Sequence, residues 1–173
     1  MARRRRGLMS RRGWTLWISA LVVLLLVYVH AEYRSFQRPI WAAELQAEKL
    51  AQQKAGLKET SSAEKYVWDA PVWVVRGKNA EGQEVIAWLP EKGEPLLLDM
   101  ASSRKEGDIR SIFKQRVPDA GIRHVRAGMI GGQPVWEVFY TRKQGQTRYY
   151  YDFYQYQSGE YITTYSLTTK KAS

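Results

Sequence analysis

The chain has 173 residues and no cysteine, which limits it to one or two small domains and excludes disulfides, thiolate nucleophiles, cysteine metal sites and cysteine lipidation. Its formal charge of +10 invites a nucleic-acid reading, but six of its 27 Lys and Arg residues (Arg3, Arg4, Arg5, Arg6, Arg11 and Arg12) stand in the first 30 positions, where no acid occurs. The other 21 bases face all 17 acids, an ordinary mildly basic surface that makes no case for nucleic acid.

Residues 1–12 form a basic tail. Gly13 to Val29, GWTLWISALVVLLLVYV, run for 17 residues without a charge. As a helix rising about 1.5 Å per residue they span roughly 26 Å, the short end for a bilayer crossing. The pattern predicts a transmembrane helix over 13–30, with Trp14, Trp17 and Tyr28 near its ends, where amphipathic rings favour the interface. Six arginines precede the span and only Arg34 and Arg38 closely follow it, which places the N-terminus in the cytoplasm. The expected location is the cell membrane, single-pass, with the C-terminal domains extracellular. A cleaved signal peptide is the alternative, since Val29-His30-Ala31 is a tolerable cleavage pattern. The apolar run, however, exceeds the about 7–15 residues of a signal h-region. Beside a span, the arginine run reads as an orientation signal that also meets anionic headgroups.

Residues 39–58 are rich in Ala, Leu, Glu, Gln and Lys and predict a helix with Pro39 in its first turn and Gly56 at its end. Ile40, Trp41, Leu45 and Leu50 form its apolar stripe, expected to lie on a sheet; a stalk or partner helix is the other reading. Glu59 to Glu64 read as a polar connection. Tyr66-Val67-Trp68 and Val72 to Val75 are β-rich runs parted at Asp69-Ala70-Pro71. Gly77 to Gly82 turn the chain, Val85 to Leu89 return as a strand, and Leu96 to Leu98 form a short one. The order then repeats. Ser103 and Glu106 have capping-box spacing. Ile109, Ile112, Phe113 and Val117 follow at helical spacing, and Pro118 stops the helix. Ile122 to Met129, Val135 to Arg142, Arg148 to Gln157 and Tyr161 to Leu167 are strand candidates, turned at Gly131-Gly132, Gly145 and Ser158-Gly159. In the second of these Trp136, Val138 and Tyr140 share one face, and Glu137, Phe139 and Thr141 the other. The outer part thus reads as α-β-β-β twice. This predicts an α+β fold with a first helix-plus-sheet domain over 31–100, a second over 101–169 and a tail at 170–173.

No catalytic constellation accompanies these elements. The two histidines, His30 at the membrane edge and His124 in a strand, are too distant for a metal site. No G-x-S-x-G, S-x-x-K, H-E-x-x-H or P-loop pattern occurs. No carboxylate pair recommends itself for glycoside hydrolysis. The expectation is a protein without enzyme activity, cofactor or metal. One cluster stands out: Tyr149-Tyr150-Tyr151-Asp152-Phe153-Tyr154-Gln155-Tyr156. A strand alternates its side chains, so both faces here are aromatic and one helix covers only one of them. Tyr149, Tyr151 and Phe153 are therefore candidate partner-binding residues, for a protein or a cell-wall glycan. The alternative is a broad sheet whose tyrosines pack flat with their hydroxyls in water.

The run Gly131-Gly132-Gln133-Pro134-Val135-Trp136-Glu137-Val138-Phe139-Tyr140, then Tyr149-Tyr150-Tyr151-Asp152-Phe153, then Ser158-Gly159-Glu160-Tyr161-Ile162 resembles a PepSY-type module. Its D-x-x-x-G-E ending is looser here, because Asp152 stands farther from Gly159-Glu160. Val74 to Gln83 is similar to the turn of the first module in the YpmB/TseB-like, membrane-anchored cell-wall elongation regulators of Gram-positive bacteria. The resemblance implies two tandem PepSY-like, or cystatin-like, domains outside the membrane. It also implies a non-enzymatic role as partner of an elongation-type penicillin-binding protein, with no catalytic residues to carry over. A protease-inhibitory role, associated with PepSY modules, and recognition of cell-wall glycan are the competing functions.

Overall fold

A computed structural model describes residues 11–167. Residues 1–10 of the basic tail expected over 1–12, and the C-terminal residues 168–173, lie outside the described residues, as does the expectation of a separate tail at 170–173. The elements are α1 (Arg11–Lys54), β1 (Glu59–Val67), β2 (Pro71–Lys78), β3 (Glu84–Pro90), β4 (Leu96–Asp99), α2 (Glu106–Arg116), β5 (Gly121–Ile130), β6 (Gln133–Gln144), β7 (Gln146–Gln155) and β8 (Tyr161–Leu167). The fold is α+β, with two four-stranded antiparallel meanders ordered β1-β2-β3-β4 and β5-β6-β7-β8. Each sheet has four strands, one more than the α-β-β-β order counts: in the first the gap at Asp69-Ala70 is a hairpin turn between two paired strands, and in the second all four strand candidates pair. The chain divides into two compact units, Met1–Ala43 and Glu44–Ser173.

In the first unit the described apolar side chains of α1, among them Trp17, Leu21, Leu24 and Val27, are exposed around the helix. Among the described residues no helix is long and apolar enough to cross a membrane. The described side chains form an unbroken uncharged series only from Trp17 to Val29. One helix stands where two were expected, and Pro39 lies inside it instead of in a first turn. Helix-favouring residues without glycine flank Pro39 on both sides, and a proline removes only one i to i−4 hydrogen bond.

In the second unit β3 is buried on both faces. Val85, Ala87 and Leu89 join Val75 of β2 and the end of α1, while Ile86 and Trp88 join Val72, Val74 and the second sheet. The helix meets its sheet through Ala47 and Ala51, small residues four apart on one face. Trp41 and Leu45, assigned from sequence to the buried stripe, are exposed. Small side chains let the helix approach the sheet closely, and that approach decides which face is buried. The helix ends at Lys54, followed by Gly56 in the left-handed region (φ 70°).

Glu59 to Glu64 is strand, not connection. It pairs with β2 from Glu59↔Lys78 onward, with a bulge between Thr60 and Ser62. Polar, charged residues suit an edge strand exposed on one side. Helix α2 begins at Glu106, after the Ser103 expected to cap it. The Asp108 carboxylate accepts from the Lys105 backbone N–H at 3.0 Å, while Ser103 Oγ donates to the Asp99 carbonyl. Ile109 and Phe113 face inward as their spacing predicts, packing with Val125, Val138 and Tyr140 of the second sheet.

Candidate functional site

The second sheet presents two unlike faces. Tyr140, Tyr150, Asp152 and Tyr154 lie toward α2, where Phe113 packs 4.7 Å from Tyr140. On the other face Phe139 stacks on Tyr149 at 5.8 Å and on Tyr151 at 4.6 Å. Trp68, in the β1–β2 turn, covers part of that face. It stands edge-on to Phe153 at 4.8 Å and to Tyr151 at 5.2 Å, and tilted against Tyr165 at 5.4 Å. Each such pair contributes about 0.5–1.5 kcal/mol beyond simple burial.

The three candidate partner-binding residues therefore separate. Phe153 is fully buried, Tyr151 is half-buried and Tyr149 is exposed. Tyr149 shares its surface with Tyr165 and Leu167 of β8, both close to half exposed. Tyr149 pairs with Leu167 and Tyr151 with Tyr165 across the β7–β8 ladder. Phe153 is covered by Trp68 from the β1–β2 turn and by Tyr165 of β8, 5.9 Å away and edge-on.

Among the described residues two carboxylates are wholly buried, Glu137 and Asp152. A buried charge is tolerated only when paired and hydrogen-bonded, and both are. Glu137 Oε2 accepts from the Tyr66 hydroxyl at 2.8 Å, and its Oε1 accepts from Arg126 Nε at 2.8 Å and lies 3.0 Å from His124 Nε2. Burial first, and then the adjacent Glu137 charge, push the Tyr66 phenol well above its ordinary pKa. Asp152 pairs with Arg116 of α2 and accepts from Tyr140 at 3.1 Å and from Thr164 of β8 at 2.6 Å. The Arg116 guanidinium also lies over the Tyr161 ring, 4.0 Å from its centre. Glu137 thus ties the second sheet to β1, and Asp152 ties α2 and β8 to the middle of their sheet. The two acids point to opposite faces of adjacent strands. Each is occupied by donors, so the pair does not form an acid/base couple.

Sequence reasoning passed over both acids. The available signal was a single carboxylate inside an otherwise apolar or aromatic strand, Glu137 between Trp136 and Val138, and Asp152 between Tyr151 and Phe153. Further contacts join the sheets. Trp88 Nε1 donates to the Gly128 carbonyl at 2.8 Å, and Asp69 Oδ2 accepts from the Gly131 N–H at 2.7 Å.

A groove of about 760 Å³ is lined by residues of β1 to β6 and the start of α2. Arg76, Arg104, Lys105 and Arg126 line it together with Glu64, Glu84, Asp99 and Glu106, a mixed set that favours neither sign of ion. Among the described residues no three His, Asp or Glu side chains are grouped as a metal site.

Comparison with known proteins bears on each half of this arrangement. A family model described as the cell wall elongation regulator TseB-like domain matches residues 46–90, from the end of α1 through β3. A second, PepSY, described as the peptidase propeptide and YPEB domain, matches residues 106–154, from α2 into β7. Among solved structures, the YpmB protein from Bacillus subtilis is similar, with 21% identity, a TM-score of 0.65, and coverage of 70% of this chain and 95% of that chain. At that identity the likeness is one of fold. No curated protein matches the sequence.

Proposed function

We propose that this chain, a YpmB/TseB-like protein containing a PepSY domain, is a non-enzymatic regulator of cell-wall elongation, anchored by α1 and bound to a penicillin-binding protein outside the membrane. The observation that carries the reading is the TseB-like regulator domain joined in one chain to a PepSY domain. Both are regulatory or propeptide-like modules, not catalytic ones.

Two features support the finer statements. The described large apolar residues of α1 between Trp14 and Val29 are exposed around the helix, and a helix apolar on all sides suits lipid or a protein core, not water. Each of these side chains would gain on the order of 1.5–3 kcal/mol from leaving water completely. An anchor also confines the second unit near other anchored proteins, so modest affinity suffices. The exposed Tyr149 offers an aromatic contact of the kind enriched at protein interfaces.

The test has two arms. Carbonate washing of membranes should leave the chain in the pellet; release into the supernatant would refute the anchor. Cross-linking of the full chain in membranes, read by mass spectrometry, should capture a penicillin-binding protein; its consistent absence would refute the partner. The PepSY match, whose description includes peptidase propeptides, favours a second reading, inhibition of a membrane or secreted protease. That reading predicts slowed cleavage when the chain is added to such a protease, and unchanged rates across several proteases would end it.

A further inference from the structure

Of the four sheet edges, three carry features that discourage strand addition. β1 bears Glu59, Glu64 and Lys65 and a bulge, and β4 is four residues long. β5 bears Arg123, His124 and Arg126 and a bulge. Such charges, bulges and short lengths keep edges from pairing with another chain. β8 is different. Among the described residues it pairs only with β7, and Tyr161–Leu167 contains neither charge nor proline. Beyond the bulge near Tyr161, Thr163 to Leu167 run in regular register.

We infer that β8 pairs antiparallel with β8 of a second copy, joining two four-stranded sheets into one of eight strands. The edge is complementary to itself. The regular stretch is centred on Tyr165, so a two-fold axis there sets Tyr165 against its counterpart and Thr163 against Leu167 of the other copy. Matching parity keeps the aromatic face of one copy beside the aromatic face of the other. The Tyr165 and Leu167 side chains, both substantially exposed in one copy, then bury against β8 of the other copy as cross-strand neighbours, with Tyr149 one strand behind Leu167.

Charge gives the same orientation. At the Leu167 end lies the β6–β7 hairpin, where Arg142 is paired with Asp119 but Lys143 and Arg148 are exposed with no acid opposite them in the ladder. At the other end stands exposed Glu160. Near that end Arg116 is neutralised by Asp152, and Arg104, bonded to the Ser158 carbonyl, shares its surface with Asp108 as well as Glu160. Antiparallel pairing brings the acidic end of each copy toward the basic end of the other, whereas parallel pairing would set like charges together. One strand pair with its flanking rings buries less than the roughly 1,200–2,000 Å² of a stable complex, so the dimer is weak and reversible.

The absence of native cysteine makes the test clean. Thr163→Cys and Leu167→Cys forms of the full chain, with different tags, are produced together in membranes and oxidised. The expected result is a mixed disulfide, about tenfold above either variant alone, because only the 163-to-167 pair is directly opposed. Adding Ser166→Lys to both variants should remove it, with thermal unfolding unchanged. No mixed product, or equal products from the mixture and the single variants, would overturn the proposal. Disulfide or photo-cross-link capture of a different protein through position 167, without self-pairing, would also overturn it and assign the edge to that partner. None of these outcomes depends on the regulator reading, which membrane cross-linking tests separately.

Discussion

Gly128→Ala should loosen the join between the two sheets. A Cβ at Gly128 would lie 2.4 Å from Cζ of Tyr66 and 2.5 Å from Cε2, closer than any real contact. The Tyr66 ring is buried, so it must shift in a packed interior, which costs about 1–3 kcal/mol. The shift also weakens the 2.8 Å hydrogen bond to the buried Glu137; bonds to charged groups contribute about 1.5–3 kcal/mol. Glu137 keeps Arg126 and His124, so that loss falls at the lower end. The total expected cost is about 3 kcal/mol. The decisive assay is a double-mutant cycle with Tyr66→Ala, read by urea unfolding of the full chain in detergent. Tyr66→Ala alone should cost about 3–5 kcal/mol. In its background Gly128→Ala should cost little, because the ring it strikes is gone. A coupling of about 3 kcal/mol is expected; effects that add to within about 0.5 kcal/mol would refute the contact.

Phe153→Ala should destabilise by about 3–5 kcal/mol, and Tyr149→Ala by less than about 1 kcal/mol; equal effects in chemical denaturation would contradict their different burial. Gly77→Ala should disrupt β1–β2 pairing, since a Cβ there would lie 2.0 Å from the Glu59 carbonyl oxygen, a backbone atom that cannot yield without opening the edge. Accelerated amide exchange confined to β1 and β2 would be its signature, and unchanged exchange would refute it. Arg116→Ala strips Asp152 of its cation but leaves the Tyr140 and Thr164 hydroxyls, so the expected loss is about 3 kcal/mol, and Asp152→Asn in the same background should recover part of it. The raised pKa of buried Tyr66, like those of Tyr140, Tyr154 and Tyr156, stabilises the neutral phenol in the folded state. That stability is complete below the ordinary tyrosine pKa of about 10 and is lost as pH rises above it. Melting temperature should fall at alkaline pH, and less steeply in Tyr66→Phe; a flat profile would count against the buried phenols.

Period and punctuation in the sequence were enough to predict helix followed by antiparallel strands, twice over. They placed the inward stripe of α2 at Ile109 and Phe113, the two faces of β6, and β8 at its observed bounds. These features are local: alternation, helical spacing and glycine turns act within one element. The resemblance to YpmB/TseB-like proteins with a PepSY module rested on short runs such as Val135 to Tyr140, and the family models agree with it. What escaped the sequence depends on a second element arriving from elsewhere in the chain. Glu59 to Glu64 became strand because β2 offered it a hydrogen-bonding edge. Trp41 and Leu45 yielded the buried face of α1 to Ala47 and Ala51 because close approach favoured small side chains. Phe153 left the surface because Trp68, distant in sequence, folded over it. Glu137 and Asp152 became interior charges because Tyr66 and Arg116 came from other elements to meet them. A charge enters the core only with its partners, and tertiary structure alone decides which partners arrive.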